Sequence, residues 1–499
     1  MSTGPGQAWF TRRGFVHASG AAAALLLAGC GSSNVHPTAA ARPTRGGPTV
    51  SPPPPTASPK VGPFWRQGNF APVPGETTTD QLRVDGRIPD GLQGLYVRNG
   101  PNQRVGASPH WFIGDGMLHG IWLEGGRARR YSRRWVRTPV LGKTGYSSPP
   151  GRAITQSDVS LIYHGERLFA LGEVGYPYQI DAADLATIGT YDFGGKLGPN
   201  MTAHPKIDPV TGDLYFFGYA FSQPFVTLYH ADPTGRMIAA QPVELPRAVM
   251  MHDFAVTETK AILFDLPCVL DGRQKGMPFR WDPAGQARIG VVDRDGAPTA
   301  RVRWFDIDRC YVFHTVNAHD TERGLVVEAV RYPYMWVHAS TDLFPPASLW
   351  RWTVDFTTGR VKEERLDDRV VEFPKADPRY LGRPHRTSFA VQSPALSTLN
   401  PGPRRPSGLV RYDADRRATS WDAPAHLFPD EGFFVSAGPN AGEGEGWLLS
   451  LVYDATAERS DLMIFDAEAL DDGPRARVHL PDRVPFGFHG WFVPSARSS

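Results

Sequence analysis

Asp208-Pro-Val-Thr-Gly212 runs straight into Asp213-Leu-Tyr-Phe-Phe217, a turn followed by a short apolar and aromatic run. Pro and Gly set the backbone angles that reverse a chain, and the run that follows has the length and residue types of a strand. Similar segments stand on both sides of it. Turn signals occur at Asp293-Arg-Asp-Gly296 and Asp355-Phe-Thr-Thr-Gly359. Short strands read at Arg167-Leu-Phe-Ala-Leu171, Ala261-Ile-Leu-Phe264, Leu325-Val-Val-Glu-Ala-Val330 and Trp447-Leu-Leu-Ser-Leu-Val-Tyr453. Helical periodicity of any length is scarce. The chain therefore reads as all-β, with many short antiparallel strands joined by tight turns. A sandwich or a row of small β-domains shares this pattern. No break in composition divides residues 62–499, so one radial body is the expected form.

Residues 1–30 read as an export signal. Thr11-Arg-Arg-Gly-Phe15 looks like a twin-arginine motif, and the apolar run Ala21-Ala-Ala-Ala-Leu-Leu-Leu27 follows it. That run is shorter than the roughly 20 residues a membrane span needs. It ends in Leu27-Ala-Gly-Cys30, which resembles a bacterial lipobox and marks Cys30 for lipidation; an ordinary signal peptide with an incidental cysteine is the alternative. Residues 31–61, including Ser51-Pro-Pro-Pro-Pro-Thr-Ala-Ser-Pro59, are rich in Pro, Ser, Thr and Gly. Such a segment buries too little apolar surface to fold and acts as a tether. The expectation is an exported lipoprotein, anchored on the outer side of the cytoplasmic membrane.

Besides Cys30 the chain has only Cys268 and Cys310. They leave room for one bridge or two free buried thiols, and no Cys-x-x-Cys metal pattern exists. The formal net charge of +2 gives no support for nucleic-acid binding.

Four histidines stand in distinctive contexts: His204 in Thr-Ala-His-Pro-Lys, His252 in Met-Met-His-Asp-Phe, His314 in Phe-His-Thr-Val-Asn-Ala, and His489 in Phe-Gly-Phe-His-Gly. An all-imidazole set suits iron, copper, nickel or zinc. The chain has 15 histidines, and any one alone is more often a structural residue than a ligand. Their separations are long, so they meet only in a fold that returns repeatedly to one axis.

Together with Gly94-Leu-Tyr-Val-Arg-Asn-Gly-Pro-Asn102 and Trp111-Phe-Ile-Gly-Asp-Gly-Met117, these contexts resemble the carotenoid cleavage oxygenase family. That family includes lignostilbene dioxygenases and the retinoid isomerase of the visual cycle. The resemblance covers residues 62–499. It implies a seven-bladed β-propeller with one Fe(II) on the axis, held by His204, His252, His314 and His489, under a cap of loops and short helices. It also implies three glutamates behind the ligands. Glu173 in Leu-Gly-Glu-Val-Gly-Tyr-Pro-Tyr, Glu372 in Val-Glu-Phe-Pro and Glu431 in Phe-Pro-Asp-Glu-Gly-Phe-Phe-Val match them, with Asp430 the alternative to Glu431 by one residue of slip.

The pattern departs from the family twice. His319-Asp320 stands where members carry an aromatic residue and Glu, which adds a second imidazole near His314. Gly172 stands where stilbene-cleaving relatives place a phenol-binding Lys; Tyr146 is then the candidate for holding a phenol. The implied function is cleavage of a C=C bond of a carotenoid or apocarotenoid by O2, giving two carbonyl products. Stilbene or phenylpropene cleavage and a non-enzymatic polyene-binding lipoprotein are the rival readings. A zinc hydrolase is disfavoured, because four histidines close a tetrahedral zinc and no hydrolase signature is present.

Overall fold

The computed structural model describes residues 63–495, apart from 107, 144–154, 199, 275, 296–300, 339–343, 395–405 and 416. Residues 1–30, the segment 31–61, Cys30 and Tyr146 lie outside the described residues. The strands sort into seven antiparallel sheets of four or five strands, with one further two-stranded hairpin. They are the blades of a propeller. Among the described residues helix is confined to short 3₁₀ turns such as Phe64–Arg66 and Pro378–Tyr380.

The two chain ends close the ring. Gly490–Pro494 pairs with Gly94–Pro101, so the last strand completes the first blade. Val84–Gly86 pairs with Pro474–His479, so an early strand completes the last blade. Each of these strands is thus hydrogen-bonded into a sheet formed mainly by the opposite part of the chain, which ties the ring shut.

The turn at Asp208 shows how the local sequence fixes this architecture. Asp208 Oδ1 accepts the N–H groups of Val210 and Thr211 at 2.8 and 3.1 Å, and Gly212 takes the positive φ of 76° that the reversal needs. The next strand, Leu214–Tyr219, is buried at every position. Its aromatic rings pack between blades, as in the Phe217–Phe254 edge contact at 5.3 Å. Cys268 and Cys310 are buried free thiols.

Candidate metal centre

Each of the four histidines lies on or just before the axis-facing edge strand of a blade. His204 precedes Lys206–Ile207, His252 precedes Ala255–Val256, His314 lies within Tyr311–Thr321, and His489 precedes Gly490–Pro494. Four blades therefore deliver one imidazole each, and one nitrogen from every ring lies within 4.8 Å of the others.

Sheet irregularities aim the side chains. The strand of His314 shifts register between Val312 and Thr315; that of Glu372 shifts between Glu372 and Lys375; that of Glu431 shifts between Pro429 and Gly432. Bulges re-aim side chains next to functional sites, and here three coincide with residues of the centre. Phe373, beside Glu372, takes a φ of 52°, a costly conformation for an aromatic residue. It places the Phe373 ring in a stack on His314, with centroids 5.5 Å apart.

Carboxylates stand behind three of the rings. His314 Nδ1 meets Glu372 Oε2 at 2.5 Å, and His489 Nδ1 meets Glu431 Oε1 at 2.8 Å. His252 Nδ1 lies 2.7 Å from Glu173 Oε2, a close contact without hydrogen-bond alignment. Among the described residues no carboxylate pairs with His204. Glu431 takes the role weighed against Asp430, which faces the buried Arg98 at 3.4 Å and accepts Gly487 N–H at 3.3 Å. His319 is not in the cluster, and Asp320 instead accepts Thr257 and Thr259 hydroxyls at 2.8 and 3.0 Å.

This arrangement fits a cation. With carboxylates at Nδ1, the proton sits there and Nε2 presents a bare lone pair. His204 and His252 bring Nε2 to Nε2 at 2.9 Å, where no carboxylate among the described residues fixes the tautomer of His204. Yet His489 and His314, each with a carboxylate at Nδ1, do so at 3.1 Å. Bare lone pairs at that distance repel unless a positive charge lies between them. Four imidazoles around an ion of octahedral preference would leave positions open, as a site that binds a further ligand needs.

Burial dominates the electrostatics. It depresses His489 to about 4 against the opposing pull of Glu431, and it holds His204 well below the usual imidazole range, aided by the other three rings. Burial also lowers His252, but the Glu173 contact outweighs it and the group is raised overall. Burial pushes Glu431 up; Lys375, His489 and the Gly490 N–H more than reverse this and bring it to about 2.

Sequence reasoning missed several parts of the centre. Tyr219 donates to Glu173 at 3.0 Å, Tyr332 to Glu372 at 2.9 Å, and Lys375 lies 2.9 Å from Glu431. None has a signal in its own segment, because each partner comes from another blade.

An apolar cavity reaches His252, His314 and His489. Trp111, Phe112, Phe313, Phe344, Phe486 and Phe488 supply much of its wall. His204, His314 and His489 also border a second, open channel whose mixed wall includes Lys206, Asp253 and Lys375.

Comparison with known proteins agrees with this architecture. Residues 70–494 match the family described as "Retinal pigment epithelial membrane protein". A "Carotenoid cleavage oxygenase" of Mycobacterium tuberculosis is 33% identical, over 86% of this chain and 97% of the relative. The chain belongs to the carotenoid cleavage oxygenase family. The "Carotenoid 9,10(9',10')-cleavage dioxygenase 1" of Pisum sativum is 31% identical over 86% of this chain and 90% of its own. Among solved structures, the lignostilbene dioxygenase of Pseudomonas brassicacearum superposes with a TM-score of 0.79 at 27% identity, covering 88% of this chain and all 100% of that one. Cobalt-substituted Synechocystis apocarotenoid oxygenase gives 0.76 at 28% identity, over 85% of this chain and 97% of that one. The relatives named here are oxygenases and dioxygenases, and this chain is an oxidoreductase of that kind.

Proposed function

We propose that the chain is a non-haem iron(II) dioxygenase that cleaves a C=C bond of a carotenoid or apocarotenoid into two carbonyl products. The observation that carries this reading is the contact between the four-histidine cluster and the aromatic-walled cavity. His204, His252, His314 and His489 would hold the iron, whose chemistry when bound is the activation of dioxygen. The remaining work falls to the chain. Glu173, Glu372 and Glu431 keep the ring protons on Nδ1 and aim Nε2 inward, while the cavity excludes water and fixes which double bond lies beside the centre.

Two features favour a polyene over a phenol. No Lys or Arg is among the described residues of the cavity wall, and the hydroxyl of Tyr332 is engaged by Glu372. At Gly172 a Cβ atom would come within 1.8 Å of Thr155 Oγ1, so this position cannot carry a phenol-binding side chain as the backbone stands. We read Cys30 as the site of a lipid anchor that keeps the enzyme beside a membrane pool of such polyenes.

The test is cleavage under air by Fe(II)-loaded protein, offered an apocarotenal and a 4-hydroxystilbene in parallel. Aldehydes from the apocarotenal alone support the reading, and their lengths give the position of the cut. Products from the stilbene alone overturn the use made of Gly172. Turnover of neither favours the polyene-binding alternative.

A further inference from the structure

The three carboxylates behind the histidines are not held alike. On Glu173, Tyr219 donates to Oε1 while His252 meets Oε2. On Glu372, Tyr332 donates to Oε1 while His314 meets Oε2. In both cases a neutral phenol and the imidazole use different oxygens. Glu431 breaks the pattern. Lys375 Nζ at 2.9 Å and His489 Nδ1 at 2.8 Å meet the same Oε1, and Gly490 N–H occupies Oε2 at 2.7 Å. A cation stands in place of the phenol and competes with the imidazole for one oxygen.

The origin of this arm is local. Lys375 lies on the strand Val371–Ala376, three residues beyond Glu372 and across the same register shift. With Phe373 at a φ of 52° between them, one short strand sends a carboxylate to His314 and an ammonium to the carboxylate behind His489.

Charge gives the arrangement a purpose. Nearby Lys206 and Asp253 pair at 2.8 Å, and Arg98 and Asp430 pair at 3.4 Å, so each of these pairs is neutral by itself. Among the groups in contact with the histidines or with their carboxylates, what remains is Glu173, Glu372 and Glu431, three negative charges, against the single positive charge of Lys375. A divalent ion would bring the total to zero. A trivalent ion would leave one uncompensated positive charge in a buried site, where it is costly.

We propose that Lys375 is a positioning residue that makes the loaded centre electroneutral and so favours the divalent over the trivalent state of its metal. It also draws on the oxygen that His489 uses, making His489 the least electron-rich of the three backed ligands. Without it the centre carries a net negative charge, which favours the trivalent ion. Lys375 is 30% exposed and borders the open channel, so solvent screening limits the effect.

The test uses full-length protein freed of metal and loaded anaerobically with Fe(II). The Fe(III)/Fe(II) midpoint potential is read by mediator titration with EPR of the ferric form, alongside the rate of ferric formation in air without substrate. Lys375→Met is expected to lower the potential by about 59 mV, a tenfold change in the equilibrium constant, and to speed oxidation in air. Lys375→Arg, which keeps the charge, is expected to hold the wild-type potential. Lys375→Gln keeps a donor without the charge and is expected to shift as Lys375→Met does; it also carries the test if the Met variant folds poorly. A wild-type potential in iron-loaded Lys375→Met or Lys375→Gln overturns the proposal, as does an Arg variant shifted as far as Met. The inference rests on the iron reading: wild-type protein that holds no iron overturns both, whereas an unshifted potential overturns this one alone.

Discussion

Asp253 and Thr315 are joined twice: Asp253 Oδ2 accepts both the backbone N–H and the hydroxyl of Thr315, each at 2.8 Å. Each residue directly follows a histidine of the centre, so the bonds tie the His252 segment to the strand of His314. The other oxygen of Asp253 takes Lys206 Nζ at 2.8 Å, two residues past His204. One buried carboxylate thus fixes the chain beside three of the four histidines. Asp253→Ala should cost about 3–5 kcal/mol, because it strands the Lys206 ammonium. Thr315→Val should cost about 1–3 kcal/mol by leaving one acceptor short. Urea melts of metal-free protein measure both, and equal melts for both variants would mean that the Lys206 arm contributes nothing.

The turn at Asp208 has an energetic role beyond reversing the chain. Its Oδ2 receives Arg294 Nη2 at 2.6 Å, linking two blades through a pair whose side chains are only 7% and 8% exposed. Burial raises the Asp208 carboxyl, but the Val210 and Thr211 N–H groups and Arg294 outweigh it and hold the group below 3.8. A depressed carboxylate stabilises the fold fully above its unfolded pKa, and the contribution is lost as pH falls through the lower folded value. Asp208→Ala should therefore cost about 3 kcal/mol at pH 7, because it leaves the buried Arg294 with only the Thr257 carbonyl at 3.0 Å and Asp295 at 3.7 Å as polar partners among the described residues. The gap between variant and wild type should close as pH drops below 3.8, and a gap that stays constant in acid would remove Asp208 from the linkage.

The histidine contexts and the turn-and-strand rhythm were legible in the chain because each is written in contiguous residues. The closure of the ring was not. Gly490–Pro494 and Gly94–Pro101 pair across almost the whole length, and nothing in either segment names the other. The bulges were equally hidden. Val-Glu-Phe-Pro reads as an ordinary strand, yet Phe373 at a φ of 52° turns it so that Glu372 and Lys375 serve different histidines. Such backbone choices are imposed by packing from other blades, and local propensity gives no sign of them. Tyr219 and Tyr332 were missed for the same reason.

Gly172 and Thr155 share one space. A methyl group at Gly172 would lie 1.8 Å from Thr155 Oγ1 and 3.0 Å from Thr155 Cβ. Thr155 also accepts Ser157 N–H at 3.0 Å, which holds its hydroxyl in place. Gly172→Ala should cost about 1–3 kcal/mol through overpacking. The double change Gly172→Ala with Thr155→Gly should recover most of that loss. Thermal melts give the answer, and a double variant no better than the single one would show that the strain lies elsewhere.

The proposed lipoprotein leader makes a chemical prediction. If Cys30 becomes the lipid-bearing first residue, protein expressed in a bacterial host with the full leader should yield an N-terminal peptide carrying diacylglyceryl mass. Cys30→Ala should release the protein from the membrane fraction with its iron content unchanged. Mass spectrometry of the peptide decides it, and an unmodified Cys30 in membrane-associated protein would end the anchor proposal.

Glu372 offers the sharpest test of the centre itself. It accepts His314 Nδ1, Tyr332 Oη and the Phe373 N–H, so both of its oxygens are engaged. Burial would raise its carboxyl, yet His314 and these donors hold it below the usual range, as they should for a group that must stay charged. Glu372→Gln keeps the shape but removes the charge, and its amide must turn one N–H toward a donor. Affinity for Fe(II) should fall about 10–100-fold, the usual result of losing a carboxylate behind a ligand. His252→Ala should lose the metal altogether, since it deletes a ligand and strands Glu173. Competition with a chromophoric chelator under anaerobic conditions measures both. The order of the two losses matters: an affinity unchanged in Glu372→Gln but lost in His252→Ala would keep the histidines as ligands and return Glu372 to a purely structural role.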